Sequence, residues 1–266
     1  MSEEDWVAAR AAHARGDYAA ELRIYRRLAA AGDARAQDNR LFAAVSRKDR
    51  SAILAVCEPV DLKFETTICE PDTPIRHVYF PTTSFISLIT PKQGVESLEV
   101  GLVGNEGAFG ITLILGVDTS PLTGLVQGEG HALRMPAKDF RKAHGSVTSF
   151  ARVMNAYLYV QVGQIAQSAA CGRFHLLEAR LARWILMTQD RAHADVFRIT
   201  HTFLGRMLGV RRPGVTEAAG QLQKESLIRY RHGEMQVLNR SALERRACAC
   251  YEIFNELYTK NVPTKG

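Results

Sequence analysis

Thr200–Leu227, THTFLGRMLGVRRPGVTEAAGQLQKESL, decides how the chain folds. Phe203, Leu204, Met207 and Leu208 recur at the i, i+3/i+4 spacing of a helix with one apolar face. Gly209 follows, free to take the left-handed conformation that a sharp turn needs. A second helix opens on Arg211-Arg212-Pro213, where proline is tolerated because a first-turn N–H has no helical partner to lose. Val215, Ala218, Ala219 and Leu222 fall on its inner face. Arg211, Arg212, Thr216 and Glu217 point outward near its N-terminal end. Two helices joined in this way present the start of the second to the major groove of DNA.

Downstream, Leu227–Leu238 alternates on either side of His232-Gly233-Glu234, as a hairpin does. A hairpin placed directly after such a helix is a wing. Asn239-Arg240-Ser241 then caps a final helix, with Glu244 three residues after Ser241 in a capping-box arrangement. Charge follows the same division. Residues 172–266 hold 16 Lys/Arg against 9 Asp/Glu, whereas residues 1–171 hold 18 against 19, so the formal excess of +6 lies in the C-terminal part. A positive surface there suits a polyanionic partner.

Upstream, Leu176–Met187 is another amphipathic helix. Before it, Phe150, Met154, Tyr157, Gln161, Gln164, Ser168 and Cys171 recur at alternating spacings of four and three. This heptad-like stripe predicts a long helix with its seam against a second copy of the chain. Val153, Leu158, Val160 and Ile165 are left to pack back on the preceding domain. Between residues 56 and 136 lie six short β-rich runs: Val60–Phe64, His77–Phe80, Phe85–Thr90, Glu96–Val103, Thr123–Gln127 and His131–Met135. The turn signals between them include Glu70-Pro71-Asp72, Lys92-Gln93-Gly94 and Gly104-Asn105-Glu106-Gly107. Many short strands at this spacing predict an antiparallel jelly-roll barrel. Residues 4–44 read as helices, and Gly16–Gln37 resembles a single Sel1/tetratricopeptide repeat, too little to bury its own face alone. The expected fold class is therefore α+β, in five parts: a helical extension (1–44), a barrel (45–144), a dimerisation helix (145–171), a winged helix-turn-helix (172–245) and a C-terminal helix and tail (246–266).

Several function classes are disfavoured. The chain has no apolar run of membrane-spanning length and its start is acidic, which predicts a cytoplasmic protein without membrane contact. Cys57, Cys69, Cys171, Cys248 and Cys250 are odd in number and form no CxxC pair, which argues against disulfides, zinc and iron–sulfur clusters. Cys248 and Cys250, two apart on an expected helix, should point to different sides. His77 and His131 stand well apart with no HxH pattern, and GxSxG, HExxH and GxxxxGK[ST] motifs are lacking, so no enzyme or catalytic metal is expected. Haem is open only through His77 or His131 and is not expected, because a lone barrel histidine is more often structural.

The segments IRHVYFP (75–81), LEVGLVGNEG (98–107), RLARWILMTQD (180–190) and LGVRRPGVTEAAGQLQKESLIRY (208–230), in this order, resemble the Crp/Fnr superfamily of bacterial transcription regulators over roughly residues 40–255. The resemblance implies a cyclic-nucleotide-binding-like barrel. It also implies a homodimer that sets two recognition helices in successive major grooves of an inverted-repeat operator, with RNA polymerase as a further partner. Arg212 stands where members carry an arginine that contacts guanine, with Arg211, Thr216 and Glu217 as the other base-contact candidates. Thr200, Thr202, Arg206, Arg229, Arg231 and His232 are the backbone-contact candidates. The turn Gly104, Glu106 and Gly107, together with Thr123, is the candidate effector pocket.

The departures matter. Pro213 stands where well-known members have a glutamate that accepts from cytosine, and Glu217 stands where arginine is common. The operator should therefore differ from the familiar one. No basic residue lies between Gly107 and Gly130, where cyclic-AMP-binding members carry the arginine that grips the phosphate. A buried phosphate without a cation is costly, so cyclic AMP is not expected to bind. The alternative reading is an architectural DNA-binding protein that needs no ligand.

Overall fold

The computed structural model describes residues 39–91, 97–192, 195–231 and 233–262. The expected repeat at 16–37, the turn Lys92-Gln93-Gly94 and His232 lie outside these residues. Two short helices, α1 (Arg40–Ala43) and α2 (Arg47–Leu54), lead into the β-rich part. Seven strands follow: β1 (Glu58–Leu62), β2 (Thr67–Cys69), β3 (His77–Pro81), β4 (Phe85–Ile89), β5 (Glu99–Val103), β6 (Thr123–Gly128) and β7 (Gly130–Pro136). They form two antiparallel sheets, β1-β7-β3 and β2-β6-β4-β5, which face one another without closing into the expected barrel. The strand β2 was not legible in the sequence.

All five residues of β4, Phe-Ile-Ser-Leu-Ile, are buried. Successive side chains of a strand point to opposite faces. Ile86 and Leu88 face the core between the sheets, with Phe80 and Met135. Phe85 and Ile89 face a second core, with Trp184, Phe203 and Leu208. Leu125 and Val126 on β6 divide in the same way. One sheet thus has both faces covered, and its outer cover is the C-terminal half of the chain.

Helix α3 (Ala137–Ser146) leads to the long helix α4 (Thr148–Phe174). Phe150, Met154, Tyr157, Gln161 and Gln164 were expected at a seam between two chains. The structure instead turns all five inward, none more than 7% exposed. Gln164 donates to the Leu102 carbonyl at 3.3 Å, and the Tyr157 ring lies where a side chain on Gly107 would have to go. The stripe is the face that packs on the sheets, and Gln164 finds its hydrogen-bond partner there. The exposed residues Arg152, Asn155, Tyr159, Val162, Ala166, Ala169 and Arg173 recur at spacings of three and four along the opposite face.

The C-terminal half contains α5 (Leu177–Ala192), β8 (Val196–Arg198), α6 (His201–Leu208), α7 (Arg212–Lys224), β9 (Ile228–Arg231), β10 (Glu234–Val237), α8 (Arg240–Arg246) and α9 (Cys250–Asn261). β8, β10 and β9 form a small antiparallel sheet. Asn239, not Ser241, caps α8, accepting from the Ala242 N–H at 3.0 Å, while Glu244 pairs with Arg240 instead of closing a capping box. The expected final helix is two helices, because the chain extends at Ala247 before turning again into α9. Cys248 therefore precedes the helix that Cys250 opens. The helical spacing that would have pointed their side chains apart does not apply.

Candidate nucleic-acid interface

Helix α6 is capped by Thr200, whose hydroxyl oxygen accepts from the Phe203 N–H at 3.1 Å. It ends on Gly209, held at φ 64°, the left-handed region that glycine enters without strain. Gly205 faces the same turn, where a Cβ would sit 2.8 Å from the Val210 carbonyl oxygen. Phe203, Leu204, Met207 and Leu208 are buried, as are Val215, Ala218, Ala219 and Leu222 of α7. These faces set the angle between α6 and α7, which leaves the other side of α7 free. At 13 residues α7 is about 20 Å long, enough to lie across a major groove.

Arg211, Arg212, Thr216 and Glu217 are all exposed on that free side. Thr200, Thr202, Arg206, Arg229 and Arg231 are exposed around it. Among the described residues, Arg206, Arg211, Arg212 and Arg231 make no ion pair with a carboxylate. The wing is β9 and β10, paired Arg231 to Glu234 and Ile228 to Val237, with Gly233 at φ 80° in the turn. Arg229 leans on Gln236 at 3.3 Å.

His201 was missed in the sequence. Its ring stacks on Tyr230 of the wing, 4.2 Å between centroids and 17° apart, and its Nδ1 lies 3.0 Å from Thr216 Oγ1. The single Thr216 hydroxyl proton is given to the Arg212 carbonyl at 3.1 Å, which makes His201 the donor through Nδ1–H. Burial and then the neighbouring Arg212 charge push the imidazole below its ordinary pKa, so it is neutral at pH 7. One side chain thereby ties α6, α7 and the wing together at the base of the exposed face. The signal available in the sequence was a lone histidine directly after a helix cap, which is too common to single out.

The turn Gly104, Glu106 and Gly107, expected to line an effector pocket, is packed against the chain's own side chains. Arg191, from the last turn of α5, forms an ion pair with Glu106 at 2.6 Å, and the two side chains are 4% and 10% exposed. Arg191 also donates to the Met187 carbonyl and lies over the Phe254 ring. A Cβ on Gly104 would meet the Arg191 stem at 2.6 Å, and Asn39 donates to the Gly107 carbonyl at 2.8 Å. Thr123 sits on β6 opposite Ile89. The turn needs its glycines for this close packing. The cation at its centre comes from α5, outside the stretch between Gly107 and Gly130 that holds no basic residue. Arg191 had a signal: it falls at helical spacing from Trp184 and Met187, a charge on an apolar face.

A second cluster joins residues that the sequence left scattered. One ligand atom from each of Cys171, His175, Cys248 and Cys250 lies within 4.8 Å of all the others.

Comparison with known proteins bears on the same segments. Residues 179–246 match the Crp-like helix-turn-helix domain family. The chain is similar in structure to FixK2 from Bradyrhizobium japonicum, with 17% identity and a TM-score of 0.63 over 73% of this chain and 98% of that one. A putative transcriptional regulator of the crp/fnr family from Eubacterium rectale aligns at 13% identity and a TM-score of 0.61, covering 77% and 96%. The c-di-GMP-responsive global regulator CLP from Xanthomonas campestris aligns at 15% identity and 0.56, covering 69% and 94%. No curated protein matches the chain in sequence. At these identities the likeness is one of fold.

Proposed function

We propose that this chain, whose residues 179–246 form a Crp-like helix-turn-helix domain on the fold of the Crp/Fnr regulators, is a sequence-specific DNA-binding transcription regulator acting as a homodimer. The observation that carries the reading is the exposed start of α7, where Arg211, Arg212, Thr216 and Glu217 stand on a face rigidly set by α6, His201 and the wing. Arg212 reads a guanine through its two-pronged guanidinium. Thr200, Thr202, Arg206, Arg229, Arg231 and His232 hold phosphates. Pro213 cannot accept from a base, so the operator departs from the one its family position suggests.

The dimer forms along the exposed face of α4, through Asn155, Tyr159, Val162, Ala166 and Ala169. Tyr159 and Val162 are 60% and 59% exposed, and the alanines allow two such helices to approach closely. A two-fold axis there makes the operator an inverted repeat, with half-sites ~34–36 Å apart. Cyclic AMP is not the effector, because the turn that would meet it is occupied by Glu106, Arg191 and Tyr157. No catalytic step belongs to the reading. RNA polymerase is the partner through which bound protein changes transcription. Among the described residues no helix is long and apolar enough to cross a membrane, and the proposed site of action is the cytoplasm.

The deciding experiment selects DNA from a random pool with the purified full chain and sequences what is bound. An inverted repeat with one turn between half-site centres is expected. Recovery of DNA with no shared sequence would replace this reading with that of an architectural binder.

A further inference from the structure

The end of α4 and the start of α9 meet at four soft donors. Cys171 and His175 are four residues apart at the C-terminus of α4, where His175 is the capping residue and donates its N–H to the Cys171 carbonyl at 3.2 Å. Spacing of four puts both on one side of the helix. Cys248 lies in the turn before α9 and Cys250 opens that helix. All three cysteines are buried and reduced.

We propose that Cys171, His175, Cys248 and Cys250 bind one zinc ion, which clasps the end of α4 to the start of α9.

Geometry supports a single ion. Zinc takes four ligands tetrahedrally, with bonds of about 2.3 Å to sulfur and about 2.0 Å to nitrogen, which sets sulfur–sulfur edges near about 3.8 Å and sulfur–nitrogen edges near about 3.5 Å. Cys171 Sγ lies 3.5 Å from Cys248 Sγ, and Cys250 Sγ lies 3.4 Å from His175 Nδ1. Bonded disulfide sulfurs would be about 2.05 Å apart. Three sulfurs and one imidazole nitrogen are a structural zinc set, whereas magnesium and calcium take oxygen. With four protein ligands no position is left for substrate, so the role is structural.

The surroundings fit such a centre. Gln167 Nε2 lies 3.0 Å from Cys250 Sγ, an outer hydrogen bond of the kind that orients a thiolate ligand. Three thiolates around a divalent ion leave a net charge of about −1. The Arg183 guanidinium acts on Cys171 with opposite charge, and its buried Nε has no hydrogen-bond partner among the described residues. Binding forms four coordinate bonds and releases thiol protons to solvent, with no electron transfer.

The site has a consequence for the rest of the chain. Residues 176–247, which hold the helix-turn-helix and the wing, run from one half of the site to the other. An ion at their base closes them into a loop and reduces the freedom of the helix-turn-helix relative to α4.

The test is metal analysis of the full chain purified under reducing conditions without chelator. About one zinc per chain is expected. Exchange for Co²⁺ should give the intense visible absorption of a tetrahedral thiolate site together with thiolate charge transfer. Cys171→Ser and Cys248→Ser should each lose the metal, while Cys57→Ser, at a buried cysteine elsewhere, keeps it. If the serine variants fail to fold, alkylation of the native chain decides. Zinc should protect three of the five cysteines, and EDTA should expose them. A folded, reduced chain that takes up neither zinc nor cobalt overturns the proposal. So does a Cys171–Cys248 disulfide recovered from protein kept under reducing conditions, or a serine variant that retains the metal.

Discussion

Trp184 donates its indole N–H to Glu99 at 2.9 Å, joining α5 to β5 through a carboxyl enclosed between the sheet and the helix. The other Glu99 oxygen lies 2.7 Å from Ser87 Oγ, and Ser87 also contacts Gln127 Oε1. A serine hydroxyl has one proton. Given to Gln127, it leaves Ser87 to accept from Glu99, which requires the neutral acid. Burial does push the Glu99 carboxyl up to about 7, against the opposing hydrogen bond from Trp184.

The stability consequence has a definite sign. Glu99 titrates near 4.5 when unfolded and near 7 when folded, so its contribution is full below the first value and lost as pH rises through the second. At most about 3 kcal/mol is involved. Glu99→Gln preserves the acceptor for Trp184 and a donor for Ser87 without the charge. Urea unfolding from pH 5 to 8 should show native stability falling relative to the variant, which becomes the more stable of the two at pH 8. Parallel pH profiles for the two proteins would rule out Glu99 as the titrating group.

Arg191 and Glu106 should behave as a buried pair that is costly to split. Glu106→Gln or Arg191→Met leaves one charge in an apolar surround, at an expected loss of about 3–5 kcal/mol each. The double variant should recover most of that loss, because its remaining cost is packing alone. Thermal melts of the four proteins give the coupling directly. Additive losses would mean that the two side chains do not depend on each other.

These two contacts mark where the sequence was legible and where it was not. The helix pair α6 and α7, with its glycine turn and wing, could be read directly, because each feature is local and has its own residue signature. Most strands could be read for the same reason, although β2 and β8, with three residues each, could not. The stripe expected at a seam between two chains is the side of α4 that this fold buries. Phe150, Met154 and Tyr157 form the stronger apolar stripe, and strength of apolarity says that a face is buried without saying against what. Glu106 and Arg191, or Cys171 and Cys250, lie about eighty residues apart and carry no mutual periodicity. Only the folded chain brings them together.

Arg212→Ala and Arg206→Ala should separate sequence reading from simple attraction. The first should cost ~1–3 kcal/mol on the selected operator and little on random DNA, with tolerance relaxed at one base pair per half-site. The second should weaken both complexes alike and reduce the slope of log K against log salt by about 0.9. His201→Phe keeps the stack on Tyr230 but loses the hydrogen bond to Thr216, so it should act like a mild Arg212 variant, with specific binding lowered several-fold and fold stability nearly unchanged. Competition titrations at two salt concentrations measure all three. Equal loss on operator and random DNA for Arg212→Ala would remove it from the base-reading set.

The two faces of α4 make opposite predictions. Val162→Glu places a carboxylate on the exposed stripe, opposite its own copy across the proposed two-fold axis, where like charges in an apolar seam cost several kcal/mol. The chain should become monomeric in sedimentation while its melting temperature at high dilution stays near that of the native monomer. Operator affinity should fall steeply, since each half-site is then bound alone. Met154→Ala, on the buried stripe, should instead lower stability by about 2–5 kcal/mol through the cavity it leaves and should not alter the assembly state of the molecules that remain folded. If Met154→Ala dissociated the dimer and Val162→Glu did not, the seam would lie on the face that this fold buries, which would require α4 to leave the sheets when two chains meet.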